Sequence, residues 1–64
     1  MKNNPNEYYR VVITTDHFGY EVEDWVSFAD YDDVIDFCDN HRVGQNFYNY
    51  TIVDISVQFI RYIL

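Results

Sequence analysis

Residues 7–28 read EYYRVVITTDHFGYEVEDWVSF, and the alternation within this stretch decides the fold. From Glu7 to Asp16 β-branched and aromatic residues dominate. A two-residue period places Tyr9, Val11 and Ile13 on one face, and Tyr8, Arg10, Val12 and Thr14 on the other. Asp16-His17-Phe18-Gly19 supplies turn chemistry, with Gly19 free to take a positive φ. Alternation resumes from Tyr20 to Phe28: Tyr20, Val22, Val26 and Phe28 share one face, with Asp24 as an exception on it, while Glu21, Glu23, Trp25 and Ser27 share the other. Two such runs around a short glycine-containing turn predict an antiparallel hairpin.

Downstream the period changes. Asp30 reads as an N-cap, followed by acids in the first turn, where the helix dipole favours negative charge. Tyr31, Val34, Ile35 and Cys38 recur at helical spacing beside Phe37, and Gly44 is the expected terminator, with His41 and Arg42 in the last turn. Gly44-Gln45-Asn46 reads as a loop leading into Phe47-Tyr48-Asn49-Tyr50. The last segment, Thr51–Leu64, is the most apolar: Val53, Ile55, Val57 and Phe59 form an inward face against Asp54, Ser56 and Gln58. Beyond Phe59 both faces are apolar, through Ile60, Tyr62, Ile63 and Leu64, and a strand apolar on both faces needs cover on both. The expected fold is therefore α+β: a three-stranded antiparallel sheet with one helix on one face, in the order strand, strand, helix, strand. Residues 1–6 read as a disordered polar lead and residues 7–64 as one small domain.

Size and composition narrow the function. A 64-residue chain holds one small core, and its single cysteine, Cys38, closes no internal disulfide. Stability is then expected from aromatic packing or from a second subunit, and we expect a homodimer through the last strand or the open sheet face. The net charge of −7 opposes binding to phosphates, so no direct nucleic-acid partner is expected. No run approaches 18 apolar residues, so no membrane span is expected, and the polar start is not a signal peptide. Asn49-Tyr50-Thr51 matches a glycosylation pattern, but without an export signal it reads as chance. The lone thiol agrees with a reducing cytosol.

Enzymatic constellations are nearly absent. The only glycines are Gly19 and Gly44, so there is no phosphate-binding loop. Cys38 and His41 lie three apart but lack an orienting group and an oxyanion site, and as metal ligands they are two of four. Asp30-x-Asp32 begins like a calcium loop without the glycine of its sharp turn. No catalytic residue, metal or cofactor is expected.

The charge itself is concentrated. Nine of the eleven acids lie between Asp16 and Asp39, and no lysine or arginine occurs between Val11 and His41. The helix carries Asp30, Asp32, Asp33, Asp36 and Asp39, although aspartate is a poor helix former and Asp32/Asp36 and Asp33/Asp36 set like charges one turn apart. A helix built only for solubility would mix glutamate with lysine. One-signed charge held against local stability points to a surface for a basic partner, with carboxylates standing in for DNA phosphates. The expected partner is a basic DNA-binding host protein. Glu21, Glu23, Asp24, Asp32 and Asp36 would replace phosphates, and Trp25 and Tyr31 would act as anchors of the type enriched in interface hot spots.

Ala29-Asp30-Tyr31-Asp32 resembles the helix start of the small uracil-DNA glycosylase inhibitors of Bacillus phages. Those inhibitors are dimeric DNA mimics with an aromatic–acid pair at that place. The resemblance extends to the order of elements over residues 8–60 and implies a role for Tyr31 and Asp32 in gripping a glycosylase. Where the family has a further aromatic one turn along, this chain has Ile35. The element order is also similar to that of the podovirus inhibitor of bacterial RNA polymerase, which is expected to carry arginines on its last strand. Here that strand has Ser56, Gln58 and Arg61. Phage inhibitors of CRISPR or restriction nucleases share the same logic, and a purely structural dimer is the remaining alternative.

Overall fold

The computed structural model of the chain describes residues 7–61. The polar lead 1–6 and the apolar end Tyr62, Ile63 and Leu64, which carried part of the two-sided strand expectation, lie outside the described residues. The fold is α+β: one helix and an antiparallel sheet, but the sheet has four strands rather than three. In chain order the elements are β1 (Glu7–His17), β2 (Tyr20–Phe28), α1 (Tyr31–Asn40), β3 (Asn46–Phe47) and β4 (Tyr50–Arg61). The sheet order is β2-β1-β4-β3.

Strand β1 is the spine, pairing antiparallel with β2 on one side and β4 on the other. Val11 stands opposite both Val26 and Val57, and Tyr9 opposite both Phe28 and Phe59, so the apolar alternation of three strands falls on one face. Val11 is 0% exposed. The helix lies on this face, where Tyr31 packs on Tyr9 and Phe37 on Phe28, with ring centroids 5.3 and 5.4 Å apart. Val34 is its buried residue. A ring pair from Tyr9 to Phe59, 5.2 Å apart, continues the aromatic layer onto β4. At the far end Arg61 donates from Nε to Glu7 Oε2 at 2.7 Å and so ties β4 to the start of β1.

The helix departs from expectation at both ends. Asp30 is extended (φ −110°, ψ 140°), but its side chain makes no capping hydrogen bond. The helix ends at Asn40, and His41 follows in an extended conformation, so Gly44 is not the terminator and the last turn contains no base. A local bond takes over there: the Phe37 carbonyl accepts from His41 Nδ1 at 2.9 Å, with the two rings stacked 4.0 Å apart. Gly44, at φ +93°, instead bends the chain into β3, where its amide donates to the Ile52 carbonyl at 2.7 Å.

The extra strand β3 comes from a hairpin that the sequence does not announce. Phe47 pairs with Tyr50 across a two-residue turn, Tyr48-Asn49, with φ of 50° and 69°. Two positive φ values mark the turn type that matches strand twist, usually written with Asn-Gly. The first hairpin uses the same device at Phe18 (φ 51°) and Gly19 (φ 89°), with the Gly19 amide donating to Asp16 Oδ2 at 3.3 Å. Bulky side chains at Phe18 and Tyr48 hold a left-handed backbone at a cost of about 1–2 kcal/mol each.

A second correction concerns β4. The register shifts between Thr14 and Thr15, so that Thr14 pairs with Asp54 and Thr15 with Ile52, leaving Val53 as an extra residue. Ile52, not Val53, therefore joins the inward set and is buried, while Val53 is exposed. Val57 and Phe59 do lie on the helix-bearing face but remain 45% and 53% exposed. The reason is coverage: α1 rests on β1 and β2 and does not reach β4.

Two measurements test this description. Replacing Tyr48-Asn49 with Asn-Gly relieves the left-handed strain, and the urea midpoint should rise by the equivalent of about 1 kcal/mol. An unchanged or lower midpoint would contradict the turn. Asp39 places negative charge in the last turn, against the dipole. Asp39→Lys should therefore stabilise the fold by about 0.5 kcal/mol at low ionic strength, with the gain shrinking in high salt.

Candidate protein-binding surface

The acids named from the sequence are exposed, but the sheet divides them. Glu21, Glu23 and Trp25 stand opposite Asp16, Thr14 and Val12 respectively, on the face away from the helix. Asp24 stands opposite Ile13, on the helix-bearing face. Tyr31, Asp32, Ile35 and Asp36 lie on α1, on that same side, and all four are exposed. The eight residues therefore do not form one flat patch. They flank β2, which is an edge strand, from both sides.

This edge is where the charge collects. Glu21, Glu23, Asp24, Asp32, Asp33, Asp36 and Asp39 are all exposed. Among the described residues the one salt bridge joins Arg61 to Glu7, and neither belongs to this set. The carboxylates of the edge and helix are thus unneutralised by any side chain of the described chain. Their mutual repulsion is tolerable only because each faces water.

The two predicted anchors differ in kind. Tyr31 is 52% exposed, and one side of its ring is already committed to Tyr9. Trp25 is 60% exposed, and the Arg10 guanidinium carbon sits 4.2 Å from its ring centroid. Arg10 also donates from a terminal nitrogen to the Tyr8 hydroxyl at 3.1 Å, while its buried Nε has no hydrogen-bond partner. Arg10 keeps its positive charge in this cation–π contact and stands on the same face as Glu21, Glu23 and Trp25. Val12, the cross-strand neighbour of Trp25, is buried on this otherwise open face.

A third group of surface residues escaped sequence reasoning. Both hairpin tips emerge at the same end of the sheet, because His17 pairs with Tyr20 on one side and Tyr50 on the other. The rings of His17 and Tyr50 stack 4.0 Å apart, and His17 Nδ1 lies 3.1 Å from the Asn49 carbonyl. Phe18, Tyr20 and Tyr48 project around this stack, and Tyr48 is 92% exposed. Below them an open groove of about 660 Å³ is lined by Ile13, Thr15, Asp24, His41, Phe47 and Tyr50, among others. Asp24, the charged exception in the β2 alternation, lies in its wall because the helix ends short of it. The only available signal was the Phe47–Tyr50 aromatic cluster itself, which reads equally well as a loop.

Chemically the surface offers charge and aromatic area rather than reactive groups. Among the described residues no three His, Cys, Asp or Glu side chains gather as metal ligands, and Cys38 is a half-buried free thiol. No described helix is long and apolar enough to cross a membrane. Compared with known proteins, the chain matches no family model, no curated protein and no solved structure.

Proposed function

We propose that the chain is a non-enzymatic inhibitor of the phage host-takeover type, which enters the DNA-binding groove of a host enzyme as a polyanion. The observation that carries this reading is the β2 edge, lined on both sides by exposed carboxylates that no side chain of the described chain neutralises. The molecule is a slab of 42 × 23 × 14 Å. Entering a basic groove edge-on, it presents Glu21 and Glu23 to one wall and Asp24, Asp32 and Asp36 to the other. Tyr31 and Trp25 then lie on opposite walls as apolar anchors, with Ile35 beside Tyr31 on the helix. Complementary charge steers such an encounter and makes it sensitive to salt.

Uracil-DNA glycosylase is the proposed target, because Ala29-Asp30-Tyr31-Asp32 resembles the helix start of the phage inhibitors of that enzyme. The structure supports this reading to the extent that Tyr31 and Asp32 are both exposed at the first turn of α1.

In a uracil-excision assay at low salt, the intact protein should abolish activity in competition with DNA, and added salt should relieve the inhibition. Asp32→Lys/Asp36→Lys and Glu21→Lys/Glu23→Lys should each weaken inhibition at least about tenfold, because edge-on entry uses both sides. Unchanged excision at saturating protein removes the glycosylase as target, and arrest of purified bacterial RNA polymerase in its place would identify the alternative. Full inhibition by both double variants would overturn the polyanion reading itself.

A further inference from the structure

Beyond the end of α1, the helix-bearing face of the sheet carries a site of its own. Direct pairing sets Asp24 beside Ile13, Thr15 beside Ile52, and Phe47 beside Tyr50, all on this face. The open groove of about 660 Å³ lies among them, and no lysine or arginine lines it. That volume is in the range of clefts that hold a ligand group.

Three of its polar side chains offer acceptors and have no donor to spare. Asp24 is exposed, its ionised carboxylate only accepts, and no base among the described residues pairs with it. Thr15 Oγ1 donates to the Val22 carbonyl at 3.5 Å, which leaves its lone pairs for an incoming donor. His41 donates from Nδ1 to the Phe37 carbonyl, so Nε2 of the neutral ring is an acceptor. The carbonyl end of α1 adds to this bias. The helix stops at Asn40, directly before His41, and its last turn holds Asp39 and no base, so this end of the dipole favours a cation. The remaining wall is aromatic and aliphatic, through Phe47, Tyr50 and Ile52.

We propose that this groove binds the guanidinium of an arginine presented by a partner protein. Guanidinium is a planar cation with five N–H donors and no acceptor, which suits a wall of acceptors. Its fork meets the Asp24 carboxylate, and its flat face meets the Phe47 and Tyr50 rings. The His17 stack, 4.0 Å from Tyr50, holds that ring in place beforehand. A lysine ammonium has neither the fork nor the flat face. The rim identifies the source of the arginine. Phe18, Tyr20 and Tyr48 are exposed around the groove, and exposed aromatics of this density are the composition of a protein interface rather than of a closed metabolite pocket. The inference goes beyond the polyanion reading. There Asp24 is one carboxylate among several, whereas here it anchors a specific contact, and the test involves no enzyme.

The full chain, labelled with nitrogen-15, is titrated to millimolar concentration with the capped tripeptide Ala-Arg-Ala at physiological salt. Amide shifts should concentrate at Thr15, Asp24, His41, Phe47 and Tyr50. The lysine tripeptide, and the uncharged citrulline one, should each bind at least about tenfold more weakly. Asp24→Asn, nearly isosteric and exposed, should weaken the arginine peptide at least about tenfold. Glu23→Gln makes the same change of net charge on the other face and should leave binding unchanged. Free arginine, whose α-carboxylate meets a chain of net charge −7, should bind more weakly than the peptide. The proposal is overturned by equal binding of the arginine and lysine peptides, by equal losses in the two variants, or by shifts spread along β2 and α1 instead of the groove. No shift at all overturns it as well. Free arginine binding as tightly as the peptide would make the site one for the amino acid and remove the partner protein.

Discussion

The structure answers to one shortage: among the described residues a ten-residue helix is the only cover for a four-stranded sheet. Such a helix is ~15 Å long, whereas strands of 9 to 12 residues run for ~30–40 Å. The helix sits where cover counts most, over β1 and β2, and Val11 of β1 and Val34 of the helix are both buried. The buried core among the described residues is then Val11, Val12, Val34 and Ile52, with Val11 alone fully closed. The remaining area is handled by flat rings laid over the sheet. Tyr31, Tyr9 and Phe59 form one chain of contacts, Phe28, Phe37 and His41 a second, and Arg10 over Trp25 does similar work on the open face. Aromatic residues suit this because each contributes large buried area with few rotatable bonds.

The same shortage sets the surface. Where cover runs out, the chain uses charge at β2 and leaves apolar area at β4. Charge at β2 blocks strand addition and keeps the protein dispersed, but the aspartates of α1 go beyond that need. Asp36 and Asp39 oppose one another and, toward the helix end, the dipole, and no lysine is interleaved. A helix that gives up local stability in this way is better explained by what it presents than by how it folds.

How much of this the sequence discloses depends on the signal each element leaves. The β1–β2 hairpin is legible because two runs of strict alternation bracket a glycine, and β2 keeps its expected bounds. The helix is legible from Val34, Ile35, Phe37 and Cys38 at helical spacing. Its end is not, because His41 closes it through a side-chain bond to Phe37 rather than through Gly44. Strand β3 is hidden since Tyr48-Asn49 adopts a glycine-type turn without glycine. The bulge at Val53 is hidden since it leaves the run of β-formers unbroken while reversing which residue faces inward. The split of the acidic site was within reach: alternation alone sets Glu21, Glu23 and Trp25 opposite Val26 and Phe28. What alternation does not say is which face carries the helix, and only with the helix in place do Asp32 and Asp36 fall on the far side from Glu23.

Charge placement also determines which surfaces remain available to each other. Carboxylates on β2 and α1 lie across β1 from the outer edge of β4, and interactions between exposed charges fade over about 8–10 Å at physiological salt. The net charge of −7 is not spread evenly. A uniform distribution of the same total would offer a weaker field to a positively charged surface. The order β2-β1-β4-β3 puts the charged strand and the apolar strand on opposite sides of β1, and so keeps the acidic surface away from the exposed apolar one.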